Sequence, residues 1–200
     1  MRDGALLVIP NGHDVCDVSH AFARVGDSIA ITHTHVTMAT LAPLVKKYLG
    51  DKPIETCILD MDGNEYWILK ALLRDTQSYP TVIVTKFQDI LGPVVSQTIP
   101  YQEQFRACKV ARNKDTNGNF ECNFAGASLV AFMRLLEPLG YRLVSLIPQG
   151  YVAFFIHCPG QQTNILHEEQ LPSIFAQIPK VAEGMRTRFP SVQDMPWQTV

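Results

Sequence analysis

The sequence predicts an α/β fold: a mainly parallel sheet with helices on both faces, finished by an antiparallel hairpin. Three observations predict it. Short apolar runs rich in β-branched residues recur at residues 5–9, 28–32, 55–60 and 81–85. Stretches with helical spacing alternate with most of them, at 14–24, 37–49 and 64–74. Two further runs, 141–146 and 152–156, are parted only by a turn containing Pro148-Gln149-Gly150, close enough to pair antiparallel. Strands that alternate with helices and read as near-continuous apolar runs belong to sheets covered on both faces.

Each element has a local reason. Residues 5–9, Ala-Leu-Leu-Val-Ile, are apolar throughout and end at Pro10-Asn11-Gly12, a turn signal. Residues 14–24 carry Val15, Val18 and Phe22 on one helical face, with Asp14 placed as an N-cap. Ser28-Ile29-Ala30-Ile31-Thr32 is the second strand. Residues 37–49 form a helix closing on Gly50, with Leu41, Leu44, Val45 and Tyr48 as its stripe and Pro43 against it. The strand at 55–60 leads through Asp62-Gly63 into a helix from Asn64, with Tyr66, Leu69 and Leu73 apolar. The fourth strand is 81–85. Residues 88–124 form a long polar insertion with Gly92-Pro93, Pro100 and Asn117-Gly118-Asn119, and loops of that length are usually functional or covered. A helix at 127–139 precedes the hairpin. The expected division is an α/β domain over residues 1–158 and an extension over 159–200. In that extension Pro179 and Gly184 interrupt a helix at 173–188, and its Pro and Gln content suggests a segment that wraps a surface.

Composition removes several function classes. With 200 residues the chain is long enough for one full core. Apolar residues at 46% and charged residues at 18% exclude a disordered chain. A net charge of −2 argues against a broad nucleic-acid footprint. The short basic runs, Lys46-Lys47 and the four cations between Arg106 and Lys114, read as solvated faces. No stretch of 18 consecutive apolar residues is present, so no membrane span is expected. Residues 1–9 are too short for a signal peptide and lack the Arg/Ser-rich character of a transit peptide. Five cysteines, at 16, 57, 108, 122 and 158, are odd in number and lack CxxC spacing, which points to free thiols in a reducing, intracellular compartment.

The strongest chemical constellation is Leu59-Asp60-Met61-Asp62-Gly63-Asn64-Glu65-Tyr66-Trp67. It puts two carboxylates where a strand ends and a helix begins, the end at which open α/β sheets bind ligands. Asp60 and Asp62 could accept from a hydroxyl or amine, or hold a divalent cation. Turn and capping chemistry explains the same residues: Asp62-Gly63 makes the turn and Asn64 caps the helix. His33 and His35 share a face if the second strand continues, but no third metal ligand is identified, and no metal is expected. His157 and Cys158 point to opposite faces, and no partner activates the thiol. Catalytic residues stay unassigned, and no GxSxG, GxxxxGK[ST] or GxGxxG occurs.

The string from Ile58 to Trp67, followed by Lys70-Ala71-Leu72, resembles the fourth-strand segment of FkbM-like S-adenosylmethionine-dependent methyltransferases. Leu91-Gly92-Pro93 and Ile99-Pro100-Tyr101 resemble that family's loop after the fifth strand. Phe124 to Leu129 resembles its next helix start. Gly140 to Val144, then Gly150 and Ala153 to Ile156, resemble its last two strands. The resemblance covers roughly residues 5 to 157 and implies a Rossmann-like methyltransferase sheet. Asp60, Asp62 and Asn64 are the cofactor-binding positions it retains. The chain departs from the pattern elsewhere. Pro10-Asn11 stands where the ribose-binding acid is expected, Lys86 where an acidic residue is usual, and Val152 in place of an Asn.

On this register residues 5–9 match the family's second strand, so its first strand and glycine-rich loop are missing. The gap would be closed by residues further N-terminal, by a strand from another chain, or by direct pairing of the 5–9 and 55–60 strands. A second register takes 5–9 as the first strand itself. The resemblance therefore implies a catalytically degenerate methyltransferase-like protein. It would need no cofactor and would serve as a structural or accessory subunit of a larger protein complex. A mitochondrial assembly is one setting for such a retained subunit, though no residue marks an organelle. The alternative is an active S-adenosylmethionine-dependent methyltransferase of unknown acceptor.

Overall fold

The computed structural model of the chain describes residues 5–9, 21–25, 28–32, 35–61, 63–105, 112–114, 120–147, 151–160 and 165–200. Cys16, His33, Asp62, Cys108, the turns at 10–12, 117–119 and 148–150, and most of the helix expected over 14–24 lie outside the described residues.

Among the described residues, seven strands form one mixed sheet in the order β3-β2-β1-β4-β5-β10-β9. They are β1 (Ala5–Ile9), β2 (Ala21–Val25), β3 (Ser28–Thr32), β4 (Ile54–Leu59), β5 (Val82–Lys86), β9 (Tyr141–Leu146) and β10 (Val152–His157). β1, β4 and β5 run parallel to one another. The other pairings, β1–β2, β2–β3, β5–β10 and β10–β9, are antiparallel. The sheet is thus mixed and not mainly parallel.

The difference lies at its first edge. Residues 21–24, expected to be helical, are β2. Val25 pairs directly with Ser28, leaving Gly26-Asp27 as a two-residue connection, and a glycine in a two-residue link is a hairpin signal. The expected gap in the sheet is also closed. Leu6 to Ile9 pair with Thr56 to Leu59, so β1 lies between β2 and β4 with both edges paired.

Register places the core. Leu7, Cys57, Ile83, Phe155 and Leu143 form one row across five strands, and all are buried. Ile9, Leu59, Thr85 and Ala153 form the next row on the same face. Ile58, Val84 and Phe154, on the opposite face, are only partly buried. The strands therefore alternate in burial, where their apolar runs predicted burial on both faces.

Among the described residues, five helices accompany the sheet. α1 (Met38–Leu49) begins at a Thr37–Thr40 capping box, ends at Gly50 with φ 61°, and buries Leu41, Val45 and Leu49 at i, i+4 spacing. Pro43 sits on its exposed side. α2 (Glu65–Thr76) packs on α1. α3 (Leu129–Leu136) is capped by the Ser128 hydroxyl, which accepts the Ala131 N–H at 3.1 Å. α4 (Leu171–Ala176) and α5 (Pro179–Thr187) replace the single interrupted helix expected in the tail. The break falls just before Pro179, which then opens α5, while Gly184 is accommodated inside it. Leu171, Phe175 and Val181 join the main core, and the Leu166 N–H bonds the Leu143 carbonyl on the outer edge of β9.

The 88–124 insertion carries structure of its own. It contains a 3-10 turn at Asp89–Leu91, then β6 (Gln97–Thr98), and a small hairpin of β7 (Arg112–Lys114) and β8 (Phe120–Cys122). β6 pairs antiparallel with β11 (Gln198–Thr199) at the end of the tail. A satellite core lies between insertion and tail, with Ile90, Ile99, Phe124 and Val192 buried and Phe105, Phe189, Met195 and Trp197 packed around them.

Candidate functional site

β1, β4 and β5 are parallel, so their carboxyl ends meet at one end of the sheet. Ligands of open α/β sheets bind at that end. The loop after β4 (60–64), the residues after β5, and the start of α1 gather there.

Asp60 follows β4 directly, and its N–H bonds the Ile9 carbonyl at 2.9 Å. Leu59 is in register with Thr85, which puts Asp60 beside Lys86. The Lys86 Nζ lies 2.5 Å from Asp60 Oδ1. That oxygen is buried and is satisfied by charge, with no aligned hydrogen bond. Both side chains remain about a third or more exposed (35% and 42%), so water screens the pair. Asp60 is held by a cation of its own chain.

Asn64 is the N-cap of α2 by position, but its side chain caps nothing. The Nδ2 group instead donates to the Gln102 carbonyl at 2.8 Å. Its Oδ1 is buried and accepts no hydrogen bond among the described residues. Asp62, the third candidate, lies outside them.

Glu65, to which the sequence reading gave no role, organises the loop. It is 2% exposed. Its Oε1 accepts the Met61 N–H at 2.9 Å and its Oε2 the Gly63 N–H at 2.8 Å. The loop thus closes on its own carboxylate in the first turn of α2, where a negative charge also meets the helix dipole favourably. A carboxylate in a first helical turn is the signal that could have found it. Gly63 is needed for a packing reason: a Cβ there would lie 2.3 Å from the Phe105 ring.

A strap crosses the amino-terminal ends of α1 and α2. It runs from β6 to Phe105. The Trp67 Nε1–H donates to the Ile99 carbonyl at 2.8 Å. The Met38 N–H, first in α1, donates to the Tyr101 hydroxyl at 3.1 Å. The Asn64 amide takes Gln102, and the His35 Nε2 lies 2.5 Å from the Glu103 carbonyl. Gln88, just beyond β5, donates to the Asn123 and Ala125 carbonyls at 3.0 and 3.1 Å and so anchors the far end of the insertion. No local sequence signal marks these long-range bonds.

His35 is at the strap, and no group of three metal-ligating side chains occurs among the described residues. His157 is stacked on Tyr79, tilted against Tyr141, and bonded through Nε2 to the Leu139 carbonyl. Cys158 is a free thiol, half-buried. Burial pushes the Cys57 thiol from its ordinary 9.0 up to about 12, which removes it as a nucleophile near neutral pH. No helix among the described residues is long and apolar enough to cross a membrane.

Searches against family models, curated proteins and solved structures found no match for this chain.

Proposed function

We propose that the chain is a catalytically degenerate methyltransferase-like protein that serves as an accessory, structural subunit of a larger protein assembly. Support for the methyltransferase-like part comes from strand order. On the second register, with residues 5–9 as the first strand itself, the first five strands stand as 3-2-1-4-5, the order of a doubly wound sheet, although β2 runs against its neighbours. The final antiparallel pair follows, as the resemblance implies.

The observation that carries the degenerate reading is the commitment of polar groups at the carboxyl end of the sheet. Asp60 is paired with Lys86, the residue standing where the family is usually acidic. The Asn64 amide holds Gln102, and the first N–H of α1 holds Tyr101. Of the three positions the resemblance retains for the cofactor, the two described here are bound within the chain. The Asp60 carboxylate and the Asn64 amide nitrogen thus already hold partners within the chain, which supports a degenerate cofactor site.

The accessory-subunit reading rests on surface chemistry. Val94, Val95 and Met185 are exposed where the insertion meets α5, with Met185 packed over Gly92. Grouped exposed apolar side chains are a common mark of a protein contact.

Calorimetric titration with S-adenosylhomocysteine at millimolar concentration tests the degenerate reading. The expected result is no saturable heat. Saturable binding that weakens in Asp60→Asn would return the active methyltransferase to first place.

A further inference from the structure

We propose that residues 189–200 are a latch on the strap, so that the tail sets access to the amino-terminal ends of α1 and α2. The inference goes beyond the function proposed above and does not rest on it.

The strap has two sides. Toward the helices it is held by hydrogen bonds from Met38, Asn64, Trp67 and His35, each a bond that water can replace at small net cost. Toward the tail it is held by apolar burial. Ile99 is fully buried in the satellite core, and half of that core's members, Val192, Phe189, Met195 and Trp197, come from the tail. The Trp197 and Phe124 ring centroids are 4.7 Å apart, and the Trp197 Nε1–H is fixed to the Val192 carbonyl at 2.9 Å.

The backbone is joined as well. β11 pairs with β6, the Val200 N–H bonds the Ser96 carbonyl at 3.1 Å, and the Ser96 hydroxyl bonds the Val200 carbonyl. Phe105 links this unit to the loop after β4, because its ring touches both Phe124 and the face of Gly63. The buried residues of the satellite core form a cluster distinct from the main core; of the tail latch only Val200 packs against the main core, and β6 is joined to the residues before α3 by the Ile99 N–H to Gly126 and Ser128 N–H to Gln97 bonds. Tail and strap can therefore open together while the sheet stays folded, as local cooperative units do.

The chain has two tryptophans, Trp67 and Trp197, and this supplies a reporter. Trp197→Phe keeps a ring against Phe124 and leaves Trp67, bonded to the strap, as the sole indole. Trp197→Ala leaves the same reporter without the ring. The expected result is stronger acrylamide quenching of Trp67 in Trp197→Ala than in Trp197→Phe. Amide exchange at Ile99 and Phe105 should rise together with that at Val192 and Val200, on the order of 100-fold, while Ile83 stays protected. By reciprocity Tyr101→Phe, which removes the hydroxyl that accepts from Met38 at the start of α1, should also speed exchange at Val192 and Val200. If Trp197→Ala does not fold, Met195→Ala in the Trp197→Phe background gives the same reading. Equal quenching in the two Trp197 variants, with faster tail exchange and unchanged strap exchange, would overturn the latch.

Discussion

Replacing Glu65 tests whether the loop after β4 is held by its own chain. The carboxylate is 2% exposed and accepts two backbone N–H groups, from Met61 and Gly63. Hydrogen bonds to a charged group contribute about 1.5–3 kcal/mol each. The Gly63 bond is buried, so removing its acceptor leaves a dry N–H and costs about 2–3 kcal/mol. The Met61 bond is part-buried, and water can substitute there, leaving about 1 kcal/mol. Loss of a negative charge from the first turn of α2 adds about 0.5 kcal/mol. Glu65→Ala should therefore destabilise by about 3.5–4.5 kcal/mol, a large part of the 5–15 kcal/mol typical of a domain. Glu65→Gln keeps the shape and one acceptor oxygen but turns an NH2 toward the other donor, and should cost about half as much. Urea unfolding at constant slope reads both, and amide exchange at Gly63 locates the effect. A Glu65→Ala change within about 0.5 kcal/mol of the parent, or equal losses for Ala and Gln, would mean that the carboxylate does not hold the loop.

Four further outcomes follow from the same geometry. Gly63→Ala should destabilise by about 1–3 kcal/mol, because its Cβ would sit 2.3 Å from the Phe105 ring; thermal melting checks it, and Phe105→Leu in the same chain should recover part of the loss. Lys86→Met should change stability by no more than about 1 kcal/mol, since the Asp60 pair is screened, and a larger loss by urea titration would mean the pair is structural. Tyr141→Phe should cost about 1–3 kcal/mol, because the buried Pro80 carbonyl loses the Tyr141 hydroxyl that donates to it at 2.8 Å. Stability should also fall on the alkaline side. Burial raises the Cys57 thiol from 9.0 to about 12, so above pH 9 the unfolded chain releases a proton that the folded chain keeps. The contribution is intact below pH 9 and is lost as pH rises toward 12; Tyr141, raised mainly by burial, acts in the same direction. Urea midpoints from pH 7.5 to 10.5 should show the fall, and Cys57→Ala should make it shallower.

Much of the scaffold was legible because its signals are local. The runs at β1, β3 and β9 have the bounds their apolar residues predicted, and α1 starts and stops at its Thr37 and Gly50 signals. β2 was misread because Val15, Val18 and Phe22 have helical spacing. The stronger signal was the two-residue Gly26-Asp27 separation from β3, which joins Ala21–Val25 to the next strand as a hairpin. That one pairing turns a mainly parallel sheet into a mixed one.

At the site, the sequence marked Asp60 and Asn64 by residue type and place, but their partners depend on tertiary register. Lys86 reaches Asp60 only because Leu59 pairs with Thr85, and Gln102 is 38 positions from Asn64. The strap and its tail latch combine residues about a hundred positions apart, such as Thr98 paired with Gln198, and no local pattern encodes that approach.

A chain that works as a subunit within an assembly travels with its partners. The most direct measurement is its native size after gentle lysis, with mass spectrometry of the proteins that migrate with it. Co-migration with a reproducible, stoichiometric set of partners is expected. Migration as a free single chain that binds S-adenosylhomocysteine would contradict it.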